Sequence, residues 1–135
     1  MTSKDSSATK LNPYAGRWRC SYWYPSNVVV GNDVSEYEMR AYPDGKDMVL
    51  ESVPNDEHSY MFVRLTIDDK VATGTWQENT SPNGEFKGAI YSGAGQLIVN
   101  PVTRSMEGRW AGAGYDRKLK QMRVYSGRWE IFHED

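Results

Sequence analysis

Residues 108–114 read GRWAGAG, with a tryptophan two positions after a glycine. The same Gly-x-Trp spacing recurs at residues 16–18, 74–76 and 127–129, so four of the five tryptophans follow it. Residues two apart along a β-strand point to the same face, and glycine lets a strand bend without a Cβ clash. The repeat therefore favours coiled strands whose tryptophans pack into the space that glycine leaves.

Alternation of apolar and polar residues between turn signals predicts eight strands and no convincing helix. The predicted strands are about 16–24, 34–42, 46–53, 59–67, 71–78, 86–99, 106–114 and 123–133. Gly88, Gly93 and Gly95 predict a bulge or sharp bend in the sixth. A meander of this kind can avoid unpaired edge strands by forming a sandwich or a closed barrel, and the glycine-rich strands favour the barrel. The predicted fold class is all-β, an eight-stranded antiparallel up-and-down β-barrel.

Length and composition predict a single domain with a modest, aromatic-rich core. The chain has 135 residues, 39% of them hydrophobic and 13% aromatic. We expect a flexible tail at residues 1–13 and one barrel domain at 14–135. The net charge of −2 argues against binding of bulk nucleic acid. The lone Cys20, the polar start of the chain and the lack of a long apolar run predict a cytoplasmic protein without a membrane span.

Connection lengths predict that the two ends of the barrel differ. Short connections follow the second, fourth and sixth predicted strands, and longer ones follow the first, third, fifth and seventh. Because long loops on a rigid scaffold commonly carry binding sites, we expect ligands at the long-loop end. Trp18 and Trp110 are expected to fill the closed end. Trp76 and Trp129 suit either structural packing or a pocket wall.

No sequence motif for catalysis or for metal binding is present. His58 and His133 are far apart and form no metal-ligand spacing. Cys20 shares a face with Trp18 and is expected to be a small inward-facing filler. We therefore predict a non-catalytic protein without a cofactor or a metal.

The basic segment around residues 115–123 is the strongest candidate for a binding site. It lies at the long-loop end, where cations beside aromatic rings suit an anionic planar ligand such as a nucleotide-derived signal. A solvated turn is the plainer interpretation. The candidate ligand-binding residues are Tyr22, Tyr24, Tyr60, Trp76, Tyr115, Arg117, Lys118, Arg123 and Trp129.

The first predicted strand begins Gly16-Arg17-Trp18, and with the eight-strand meander after it the chain resembles the calycins from about residue 14 to 133. Calycins include the lipocalins, the avidins and the fatty-acid-binding proteins. The resemblance implies a lipocalin-like barrel that binds one small ligand. It also implies a basic side chain packed on Trp18, for which Arg123 and Arg128 are the candidates. An enzyme on a calycin-type barrel, or a haem protein with His133 as axial ligand, is one alternative.

A second resemblance covers the last 30 residues, from MEGRWAGAGYDRKLKQ to the end of the chain. They are similar to the final hairpin of the small β-barrel sensor domains of bacterial cyclic-oligonucleotide antiphage effectors. That resemblance implies cyclic-nucleotide sensing in bacterial defence. A further alternative is a protein-interaction or oligomerisation module, with homo-oligomers formed through outward aromatics such as Trp23.

Overall fold

The computed structural model describes residues 15–25, 31–84 and 86–134. Each strand pairs with the next along the chain, and the last pairs with the first, so the sheet is a closed antiparallel barrel. The strands are β1 Gly16–Pro25, β2 Asn32–Asp44, β3 Asp47–Ser52, β4 Tyr60–Asp68, β5 Val71–Asn79, β6 Ile90–Asn100, β7 Ser105–Asp116 and β8 Gln121–Glu134. The predicted all-β, eight-stranded antiparallel up-and-down barrel is therefore confirmed.

Two expectations concern features other than the barrel strands: the N-terminal tail and the lack of a membrane span. The predicted tail at residues 1–13, and its boundary with the barrel, lie outside the described residues. Within the described residues, no helix is long and apolar enough to cross a membrane.

The closed end of the barrel is the end at which the connections 45–46, 69–70 and 101–104 lie. Alternating side chains of all eight strands meet inside it, because every second residue of a strand faces inward. Trp18 is fully buried there, and the ring of His133 lies edge-on to it with the centroids 5.1 Å apart. The core around them includes Met39, Leu50, Val63, Leu65, Leu97, Met106 and Ile131. His133 thus packs against the core.

The inward tryptophans beyond the closed end lie over glycines of other strands. Trp76 pairs with Gly93 across β5 and β6, and a Cβ on Gly93 would lie 2.7 Å from Trp76 Cζ2. A Cβ on Gly95 would lie 2.5 Å from Cζ3 of Trp129. The Gly-x-Trp repeat therefore works across strands, because the space for each ring comes from a glycine on another strand.

The start of the sixth strand differs from its prediction. β6 begins at Ile90, and the chain before it turns back on itself with the Gly88 N–H donating to Ser81 O at 3.0 Å. Gly88 has a φ of +76°, which is incompatible with a strand. The pairing of β6 with β5 and β7 is continuous through Gly93 and Gly95, so the predicted bulge is wrong.

Trp110 lies near the middle of β7 and not at the closed end, so its predicted position is wrong. Its cross-strand partners are Gly95 and Gly127, and its indole N–H donates to Trp23 O at 2.9 Å. Five residues of β7 separate it from the connection at the closed end. Of the two tryptophans predicted to fill the closed end, only Trp18 lies there.

A hairpin of β7 and β8, residues 113–126, is paired with neither flanking strand among the described residues, and we call it the protruding hairpin. Pairing of β6 with β7 ends at Gly112, and pairing of β1 with β8 ends at Trp129, whereas β7 and β8 stay paired up to Asp116 and Gln121. The predicted long loop at 115–122 is therefore the four-residue turn 117–120 at the tip of this protruding hairpin.

Candidate functional site

A cavity of about 780 Å³ opens at the long-loop end of the barrel. Its volume suits a drug-sized or nucleotide-sized molecule. Its wall includes the aromatic side chains of Tyr22, Tyr24, Trp76, Phe86, Tyr91, Trp110, Tyr125 and Trp129. Basic side chains of the protruding hairpin stand at its rim.

Three tryptophans fix the shape of the cavity. The rings of Trp76 and Trp110 meet edge to face at 89°, with the centroids 5.7 Å apart. The indole N–H of Trp76 donates to Ala94 O at 3.2 Å, and that of Trp129 to Cys20 Sγ at the same distance. Because all three indole N–H groups have acceptors inside the barrel, the rings present their apolar surfaces to the cavity.

Cys20 is sealed behind this wall. It is fully buried, and burial raises the pKa of its thiol to about 12, although the hydrogen bond from Trp129 opposes the rise. A thiol with such a pKa is a poor nucleophile at neutral pH. Cys20 is therefore an apolar filler, in the inward position that alternation predicts.

The turn of the protruding hairpin is organised around Asp116. Its carboxylate accepts the backbone N–H groups of Lys118 at 2.9 Å and Leu119 at 3.0 Å, and pairs with Arg123 at 3.1 Å. The hydrogen bond from Leu119 and the one from Arg123 lower the pKa of Asp116. Asp116 therefore holds the turn in one shape and neutralises Arg123.

Arg117 and Lys118 are the uncompensated cations of the rim. Among the described residues, neither lies within salt-bridge distance of a carboxylate. Arg117 is close enough to Tyr91 to oppose the rise that burial causes in the pKa of that phenol. The guanidinium of Arg123 lies 4.9 Å from the ring centroid of Tyr125. The rim thus combines free positive charge with aromatic faces.

A buried carboxylate, Glu78, also faces the cavity. It is only 6% exposed, and its two oxygens accept the hydroxyls of Tyr22 and Tyr37, each at 2.6 Å. These bonds join β5 to β1 and β2 across the barrel interior. Burial raises the pKa of Glu78, while the two tyrosine hydroxyls oppose the rise. Among the described residues, no basic side chain pairs with it.

The outer surface carries a similar cluster that serves as a comparison. Glu51 accepts the hydroxyls of Tyr42 and Tyr60, the latter at 2.9 Å. Here the pKa of the carboxyl is lowered, chiefly by the bonds from Tyr42 and Tyr60, because burial is slight. Glu78 and Glu51 each accept two tyrosine hydroxyls, yet their pKa values shift in opposite directions. The difference is that Glu78 is buried and Glu51 is solvated.

Eight of the nine predicted site residues line the cavity. They are Tyr22, Tyr24, Trp76, Tyr115, Arg117, Lys118, Arg123 and Trp129. Tyr60 does not, because the inward position next to it belongs to Met61 and its own hydroxyl reaches Glu51 on the outside. Its expected place at the mouth is corrected accordingly.

The prediction missed several lining residues, Glu78 above all. Glu78 shares the inward parity of Trp76 on β5, so a charged residue at an inward position was the available signal. Phe86 was assigned to a strand, whereas the turn brings its ring 6.4 Å from that of Tyr24. Tyr91 and Tyr125 are inward by alternation along β6 and β8.

The structure also bears on two further expectations, the basic side chain packed on Trp18 and the outward position of Trp23. The expectation that Arg123 or Arg128 packs on Trp18 is wrong, because Arg123 lies over Tyr125 and Arg128 lies over Trp23, 5.1 Å from its ring centroid. The ring of His133 packs on Trp18. Trp23 is half-buried on the outer face. Among the described residues, no three His, Cys, Asp or Glu side chains cluster as a metal site.

Comparisons with known proteins reveal a structural likeness and no sequence relative. No protein-family model and no curated protein matches the chain. A crystal structure of a mutant of transferrin-binding protein B, a vaccine antigen from Haemophilus parasuis, is similar at 13% identity and a TM-score of 0.44. The match covers 89% of this chain and 27% of that chain. The chain thus spans about a quarter of that protein, and the barrel assignment rests on the strand pairing.

Proposed function

We propose that the barrel is a non-catalytic binding protein that takes an anionic planar ligand at its long-loop end. The observation that carries the proposal is the cavity, in which an aromatic wall stands beside a basic rim whose Arg117 and Lys118 have no carboxylate partner among the described residues. A flat ring gains from stacking against the wall, and an anionic group gains from Arg117 and Lys118 at the rim.

A nucleotide-derived ligand is the class that best matches both features. Stacking of a base on an aromatic side chain contributes about 1–3 kcal/mol, and a phosphate supplies the charge. The comparisons offer no support for the resemblance to cyclic-oligonucleotide sensors, so that finer identity rests on residues 106–135 alone. We also propose a cytoplasmic location, because a single buried thiol suits a reducing compartment.

Tryptophan fluorescence titration with guanosine 5′-monophosphate and with guanosine tests the function. We expect the nucleotide to bind more tightly than the nucleoside, and its affinity to fall with salt because exposed charges are screened. The double variant Arg117→Ala/Lys118→Ala should weaken nucleotide binding about tenfold or more while leaving the melting temperature nearly unchanged.

Lys46→Ala/Lys70→Ala is the matched control, since it removes the same charge from exposed turns at the closed end. This control should bind like the wild type. Equal binding of nucleotide and nucleoside, with no effect of the rim variant, would refute the role of the rim.

The outer face of the protruding hairpin favours a second candidate function, self-association. Met122 and Val124 lie on this face with exposed fractions of 62% and 69%. In the described part of the chain, the backbone pairing of β8 with β1 stops at Trp129, so the β8 edge before Trp129 is not paired in a ladder. Two such edges can pair antiparallel about a two-fold axis, which makes a second copy the fitting partner. Light scattering on wild type and on Val124→Lys would reveal a dimer that the variant loses.

A further inference from the structure

The inner wall of the cavity carries an acidic group that the anionic-ligand proposal leaves unused. Glu78 is buried, faces the cavity and has no basic partner among the described residues. An ionised carboxylate away from water is costly unless charge or hydrogen bonds compensate it. Two tyrosine hydroxyls supply part of that compensation.

The acceptor capacity of Glu78 indicates what is still missing. A carboxylate offers about four lone-pair positions, two on each oxygen. Tyr22 takes one position on Oε1 and Tyr37 one on Oε2. One acceptor position therefore remains on each oxygen, which matches a flat group with two parallel N–H donors.

Resting on the proposed ligand-binding function, we infer that the ligand is bipolar, with a guanine-type edge of two N–H donors on Glu78 and an anionic group at Arg117 and Lys118. The aromatic wall lies between these two polar ends and accommodates the planar body. The two ends require opposite chemistry, so a ligand that is anionic throughout would leave Glu78 unpaired and repelled.

Inosine 5′-monophosphate is the natural comparison, because it is guanosine 5′-monophosphate without the 2-amino donor. Fluorescence titration of the wild type should show the guanine nucleotide binding about ten- to hundredfold more tightly, the usual effect of one hydrogen bond to a charged group. In Glu78→Gln the amide presents a donor where the carboxylate presented an acceptor. The preference should then disappear, while binding of the inosine nucleotide changes little.

Glu51→Gln is the matched control, because Glu51 also accepts two tyrosine hydroxyls but lies outside the barrel. It should keep the full preference. The wild-type comparison of the two nucleotides needs no variant, so equal affinity overturns the inference even if Glu78→Gln fails to fold.

The outcomes separate the inference from the function on which it rests. Equal affinity for the two nucleotides, or a preference that survives in Glu78→Gln, overturns the role of Glu78. If guanosine 5′-monophosphate still outcompetes guanosine in that case, the anionic-ligand function stands. If none of the three probes binds, both proposals fall.

Discussion

Alanine at Gly95 should destabilise the barrel by forcing Trp129 out of its place. The added Cβ would lie 2.5 Å from Trp129 Cζ3 and 2.7 Å from Arg109 O, whereas carbon atoms pack at about 3.5–4.0 Å. The ring has little room to withdraw, because Trp129 is 2% exposed and its N–H is bonded to Cys20. The backbone oxygen belongs to β7, so relief on that side requires two paired strands to separate.

Overpacking of this kind costs about 1–3 kcal/mol. For a domain of this size, that corresponds to a melting temperature lower by roughly 3–12 °C. Thermal unfolding followed by circular dichroism measures it. In a Trp129→Leu background the same change should cost less, since the ring is gone, although the contact with Arg109 O remains.

Gly114→Ala is the control for this experiment. Its Cβ would meet only the ring of Tyr125, at 3.1 Å, near the end of the protruding hairpin. That half-buried ring can shift, so we expect little change in stability. If Gly95→Ala costs no more than Gly114→Ala, the packing of tryptophan rings over glycines does not constrain this barrel.

Three further predictions concern stability and reactivity. Trp110→Ala removes a ring that is 8% exposed, and it should cost about 3–5 kcal/mol in chemical denaturation; an unchanged midpoint would contradict its packing role. Because burial raises the pKa of Glu78 above 4.5, the ionised form is penalised in the folded state, so Glu78→Gln should gain stability relative to wild type as the pH rises through the folded pKa. Glu51→Gln should show the opposite trend, since the pKa of Glu51 is lowered below 4.5 and its stabilisation is lost as the pH falls through the folded pKa; melting curves from about pH 2.5 to 8 compare the two. Cys20 should resist iodoacetamide at pH 8 until the protein is unfolded, as read by mass spectrometry, and rapid labelling of the folded protein would contradict its burial.

Local pattern was enough to predict the barrel, and most of the cavity wall followed from parity along the strands. Alternation predicted that Tyr22, Trp76 and Trp129 point inward, because successive side chains of a strand alternate between its two faces. The level of a residue along the barrel axis depends on how neighbouring strands are staggered, which no single strand encodes. For this reason Trp110 was expected at the closed end.

Contacts across the interior were also beyond reach of the sequence pattern. Glu78 meets Tyr22 and Tyr37 only because the sheet closes and brings β1 and β2 opposite β5. Similarly, the hairpin is set apart because the pairing of β7 with β6 and of β8 with β1 stops earlier than the pairing between β7 and β8. Composition marks that segment as basic, but its separation from the flanking strands is a property of the whole sheet.

The perpendicular contact of Trp76 and Trp110 makes the cavity optically distinctive. Two indoles 5.7 Å apart couple their electronic transitions, and such coupling depends steeply on distance and angle. The pair should therefore contribute an exciton couplet to the circular-dichroism spectrum, which Trp18 at the closed end does not share. A molecule that enters between the wall and the rim would alter this couplet, so the protein carries its own label for occupancy and needs no attached dye.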